Sequence, residues 1–141
     1  MKHFSLIPLL FILIQFSSCQ SEIRPTKKEL QGSWREFKYV GGIAGLNETI
    51  PSGKASILHF DGGKYEVELP EMLTPYFELA EGDREGSYKL SYDESLILKK
   101  ETLMISLTDT WGGILEINGD TMSIGQDVYD GTAVVYLRVT E

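Results

Sequence analysis

The chain has 141 residues, of which 42% are hydrophobic, 24% charged and 11% aromatic. That length suits one domain, and the composition excludes a disordered or fibrous chain. A formal net charge of −8 argues against nucleic acid and anionic membrane surfaces as partners.

The first segment carries most of the continuous hydrophobicity. Met1-Lys2-His3 is a short positive stretch, and Phe4 to Phe16 is apolar except for Ser5, Pro8 and Gln15. Ser17-Ser18 then supply small residues before Cys19. Positive, apolar, small is the order of a secretory signal over residues 1–18. The apolar run is roughly 20 Å long as a helix, short of the about 20 residues that a bilayer core requires. Pro8 weakens it further. Loss of Lys2 from the 13 basic residues leaves 12 against 21 acidic ones, a net of −9. Cys19 is the only cysteine, so an intramolecular disulfide is excluded. Gln20 to Glu29 is polar, contains Pro25 and lacks periodicity, which predicts a spacer over 19–29.

From Leu30 onward, short apolar runs are punctuated by Gly, Asp and Asn, and no apolar helical face persists for three turns. The pattern predicts an all-β domain over 30–141. Its strands are expected at Ser33–Val40, Ala55–Phe60, Lys64–Leu69, Arg84–Tyr92, Leu96–Lys99, Thr102–Leu107, Gly113–Asn118, Thr121–Gly125 and Thr132–Val139. Hairpin turns are expected at Asp61-Gly62-Gly63, at Asn118-Gly119-Asp120 and at Tyr92-Asp93-Glu94-Ser95. Gly41 to Gly45 reads as a mobile loop. Eight or nine strands in hairpin succession favour a single antiparallel up-and-down barrel of about eight strands, because closure removes exposed edges. Period-two alternation turns Leu58/Phe60, Tyr65/Val67/Leu69, Tyr88/Leu90, Leu103/Ile105/Leu107, Leu115/Ile117, Met122/Ile124 and Val135/Leu137/Val139 inward. In the first strand Glu36 and Lys38 share the parity of Trp34, while Phe37 and Tyr39 take the other. A bulge after Trp34 would reconcile them.

Two resemblances follow from these residues. Phe16-Ser17-Ser18-Cys19 resembles the lipobox of bacterial lipoproteins, with Phe16 in place of the usual Leu. This implies lipid on Cys19 and a membrane anchor, with acyl chains contributing roughly 0.8 kcal/mol per buried CH₂. Residues 30–141 resemble the small lipocalin-like lipoproteins of Bacteroidetes. The residues that carry this are Gly32-Ser33-Trp34, the hairpin Phe60-Asp61-Gly62-Gly63-Lys64-Tyr65, the strand Gly86-Ser87-Tyr88-Lys89-Leu90, and the closing Leu137-Arg138-Val139. The resemblance implies a structural signature of Gly32, Trp34 and Arg138, with Arg138 lying over Trp34 at one end of the barrel.

For function, the resemblance implies a small apolar ligand in the barrel, lined by Phe60, Tyr65, Tyr88 and Met122. The apolar connection Leu69–Leu79, with Met72, Leu73, Tyr76 and Phe77, would cover the mouth or plug the end. Trp111 is either a rim aromatic or core. The alternative is a filled barrel acting as an envelope accessory protein through a protein partner. The expected location is the cell envelope, by lipid on Cys19, in the outer membrane. No catalytic residue, cofactor or metal is expected. His3 leaves with the signal, so a Ser–His–Asp arrangement would have to use His59, which sits between inward-facing Leu58 and Phe60 and should point outward. There is no phosphate-binding loop or dinucleotide fingerprint. Asp83/Glu85, Asp93/Glu94 and Asp127/Asp130 read as turn acids, and Asp127 to Gly131 lacks the spacing of a calcium loop.

Overall fold

The computed structural model describes residues 23–70, 83–109 and 111–140. The signal segment, Cys19, Met72, Leu73, Tyr76 and Phe77 lie outside the described residues.

Among the described residues one α-helix, α1 (Ile23–Leu30), precedes ten strands. These are β1 (Gly32–Gly41), β2 (Leu46–Thr49), β3 (Ile57–Asp61), β4 (Lys64–Glu68), β5 (Glu85–Ser87), β6 (Lys89–Glu94), β7 (Glu101–Ser106), β8 (Gly112–Asn118), β9 (Thr121–Gly125) and β10 (Thr132–Arg138). Nine of them form one curled antiparallel path, β5-β4-β3-β1-β10-β9-β8-β7-β6, and β2 adds to β1. The two ends of the path, β5 and β6, are separated in the chain by Tyr88 alone. Counted as one bent strand, they reduce the nine to eight. The architecture is an all-β half-barrel of the up-and-down kind.

The turns follow local chemistry. Gly62 and Gly63 connect β3 to β4 with φ of +55° and +91°, a pair of left-handed positions that side chains with a Cβ resist. Gly119, at φ +61°, opens the β8–β9 turn.

Several elements differ from the sequence expectation. The spacer contains α1, whose Pro25 sits in the first turn, where the missing N–H costs nothing. Lys27 and Lys28 occupy its last turn, complementing the helix dipole. No strand forms at Leu96–Lys99, which is a turn, and Asp93 and Glu94 belong to β6, paired with Thr102 and Glu101. Likewise Glu85 is in β5 rather than a turn. Leu46–Thr49 is a strand, although Leu-Asn-Glu-Thr has no apolar alternation, because β1 extends far enough to pair with it at Lys38–Gly41.

The inward face of β10 is the other correction. Tyr136 is buried and Val134 packs against the core, whereas Val139 is exposed. Cross-strand partners point to the same face. Trp34 opposes Arg138, Glu36 opposes Tyr136 and Tyr39 opposes Val134, so even-numbered β10 residues must follow Trp34 inward. The register between β1 and β10 shifts between Glu36 and Lys38. This bulge at Phe37 leaves that ring outside and brings Tyr39 back in.

The main core gathers Leu30, Trp34, Leu58, Phe60, Tyr65, Tyr88, Ile105, Leu115, Met122 and Tyr136 among its buried residues. A smaller cluster of Tyr39, Ile50 and Ala55 lies toward the β2 end, and Val134 packs against both.

Candidate functional site

One end of the barrel is closed by the polypeptide itself. The last carbonyls of α1 have no intrahelical partner, and side chains of the barrel supply donors. Trp34 Nε1 donates to Leu30 O at 2.8 Å, and Gln31 Nε2 donates to Lys27 O at 3.2 Å. Arg138 donates from one guanidinium nitrogen to Gln31 O at 2.8 Å and from the other to Glu29 O at 2.6 Å. Its guanidinium carbon stands 4.0 Å from the Trp34 ring centroid, within cation–π range. Gln31 also accepts from Gly62 N–H and donates to the Tyr88 hydroxyl. Helix end, β3–β4 turn and barrel wall are thus bolted together, and Gly32, Trp34 and Arg138 meet at this end. Gly32 holds a φ of +106° that side chains with a Cβ resist, close beside the Arg138 guanidinium.

Phe60, Tyr65, Tyr88 and Met122 are brought together in one cluster. Each is only 0–7 % exposed. Phe60 and Tyr88 meet edge-to-face, with centroids 5.2 Å apart at 84°, a favoured aromatic geometry. The Tyr65 hydroxyl donates to Asp83 O at 3.0 Å. Met122 is fully buried, and Phe60, Tyr65 and Tyr88 keep only a few per cent of their surface accessible. Trp111 packs partly buried against the same cluster.

Above this layer lies a polar pair that the alternation marked without explaining. Glu36, on β1, is 3 % exposed. Its Oε2 accepts from Ser56 N–H at 2.9 Å, and its own N–H donates to Ser56 O at 3.0 Å. Burial pushes its carboxyl above the ordinary range, and the Ser56 hydrogen bonds offset part of that. Tyr136, opposite on β10, is held well above the usual phenol range, by burial first and then by the fields of Glu36 and Tyr39. The signal was present in the sequence: Glu36 shares the parity of Trp34.

His59 lies on the outer face. Its Nδ1 is 2.8 Å from Ser33 Oγ, and its Nε2 is 3.4 Å from Glu68 Oε2. The imidazole is about one third exposed and Glu68 two thirds, so water screens the trio, unlike the dry site in which a catalytic triad works. Among the described residues no group of three or more His, Cys, Asp or Glu could hold a metal. Asp127 has a different task. Its carboxylate accepts from Ser95 Oγ at 2.6 Å and from Leu96 N–H at 2.7 Å. Those bonds, that of the Ser95 hydroxyl first, hold its carboxyl below the ordinary range.

Concavities open on the surface among the described residues, two of them beside His59 and Trp111. One, about 460 Å³, runs beside β3, β4 and β5 and includes His59, Lys64, Tyr65, Glu66 and Gly86. The other, about 350 Å³, includes Asp93, Met104, Asp109, Trp111, Gly112 and Asp127. Gly112 and Gly113 let the strands there close up: a Cβ on Gly113 would stand 2.1 Å from Gly125 O.

No family model, no curated protein and no solved structure matches the chain.

Proposed function

We propose that this chain is an exported lipoprotein, anchored by lipid on Cys19 in the cell envelope, whose half-barrel works through its surface as a non-enzymatic binding subunit for another envelope protein. The order of charge, apolar run and small residues before Cys19 supports the anchor. The observation that supports the surface role is that Phe60, Tyr65, Tyr88 and Met122 sit in one buried cluster, each 0–7 % exposed. A carrier reading, in which a small apolar ligand enters the barrel, is favoured by one feature. Glu36 and Tyr136 form a buried polar layer of the sort that orients a ligand's head group.

Native mass spectrometry of the full chain, extracted in mild detergent, separates the two. The surface role predicts the acylated chain without a further small molecule. A stoichiometric apolar ligand would overturn it in favour of the carrier. Metabolic labelling with an alkyne-tagged palmitate tests the anchor: label is expected on the full chain and absent from Cys19→Ala.

A further inference from the structure

Resting on that reading, we infer that the outer groove beside Trp111 and the apolar rim next to it bind a protein partner through a segment that mixes lysine or arginine with large apolar side chains. Three loops build this surface. Gly42 N–H donates to Gly131 O at 3.1 Å, tying the β1–β2 loop to the β9–β10 loop. Asp127, in the β9–β10 loop, holds Ser95 and Leu96 of the β6–β7 turn. These loops carry apolar side chains in water: Ile43 is 91 % exposed, Tyr129 86 % and Leu96 62 %, with Val128 and Leu98 about half exposed. Exposed apolar residues scattered singly mean little, but five on three loops tied together by hydrogen bonds supply apolar surface for an interaction site.

The adjoining groove offers Met104 and Trp111 as apolar floor and Asp93, Asp109 and Asp127 as carboxylates, with no Lys or Arg among its lining residues. Asp127 is committed to the turn, and Lys99 lies within reach of its field. Asp93, which accepts from Ser91 Oγ at 2.5 Å, and Asp109 are exposed and line the groove. Charge complementarity therefore selects a basic segment, and Met104 with the half-buried Trp111 gives its apolar side chains a floor.

Position argues for protein over lipid. The chain enters at the Gly32 end of β1, where α1 docks, and Cys19 lies four residues before α1. The rim meets the Gly41 end, ten strand residues away, roughly 30 Å at 3.3 Å per residue. The rim therefore lies at the far end of β1 from the helix that follows Cys19 in the chain.

The probe is a fluorescein-labelled hexapeptide alternating lysine with leucine and phenylalanine, titrated by anisotropy into the full chain in mild detergent. Control peptides carry glutamate for lysine, or serine for the apolar residues. Saturable binding of the first peptide alone is expected. It should weaken at least tenfold in Asp93→Asn/Asp109→Asn and in Leu96→Ser/Tyr129→Ser, both checked for an unchanged circular dichroism melt. No saturable binding, or equal affinity in both variants, would overturn the inference. So would binding of Cys19→Ala to phosphatidylcholine vesicles that Leu96→Ser/Tyr129→Ser abolishes, which would make the rim a lipid contact. The outcomes separate from those of the function test. An interior ligand with peptide binding intact removes only the filled barrel, and lost peptide binding with no interior ligand removes only this surface.

Discussion

Replacing Arg138 with alanine should be the most damaging single change at the closed end. The guanidinium is three quarters buried, donates to Glu29 O and Gln31 O, and lies over Trp34. Hydrogen bonds from charged donors contribute about 1.5–3 kcal/mol each. Glu29 O is exposed and rehydrates, so about 1 kcal/mol is lost there and about 2 at Gln31 O. The ring contact adds about 1 kcal/mol. Asp120, at 3.4 Å, is largely exposed and adds little. The contacts share one side chain and are not additive, so a loss of about 3 kcal/mol is expected, or roughly 12 °C in Tm for a domain of this size. Arg138→Lys keeps the charge but not the planar fork, and should recover no more than half. Urea unfolding of the full chain in mild detergent, followed by circular dichroism, measures both. A loss below about 1 kcal/mol for alanine, or full recovery by lysine, would refute the bolted closed end.

Three further outcomes follow from the interior and the loops. The folded Glu36 carboxyl titrates above the ordinary glutamate value of 4.5, so between the unfolded and folded values the native state retains a proton that the unfolded chain has lost. Stability therefore falls as pH rises through that window. Glu36→Gln, which keeps an acceptor for Ser56 N–H, should match the wild type below pH 4.5 and be the more stable at neutral pH. A difference that does not change with pH in urea unfolding would contradict the buried carboxyl. Gly113→Ala would press a methyl against Gly125 O and should cost about 3 kcal/mol, read as a lower urea midpoint; an unchanged midpoint would mean the β8–β9 spacing is looser than described. Asp127→Ala should accelerate hydrogen exchange at Leu96 and Ile97 amides at least tenfold while leaving β9 amides protected, and unchanged exchange would remove Asp127 from the turn.

Much of the barrel was legible because alternation and turn chemistry agreed. Leu58/Phe60, Tyr65/Val67 and Met122/Ile124 alternate cleanly, and the Gly62-Gly63 and Asn118-Gly119 turns fix the registers between them. β10 was misread because Val135, Leu137 and Val139 are as apolar as Val134 and Tyr136, so hydrophobicity alone does not choose a face. Pairing with β1 does choose one, through Trp34 and Arg138. The turn after β6 was misplaced because Leu96-Ile97-Leu98 looks like a strand until Ser95 and Asp127 cap its amides, a long-range partnership that local sequence does not show. Glu36 was visible as a breach of pattern, but only the bulge at Phe37 and the approach of Ser56 show that it belongs inside.

A surface role for the half-barrel requires that its interior take no guest. Diffraction from crystals of the full chain pressurised with xenon tests that directly, since xenon enters dry apolar cavities. The account predicts no xenon among Trp34, Phe60, Tyr65, Tyr88 and Met122. An ordered xenon atom within that cluster would contradict it and restore the barrel as a ligand carrier.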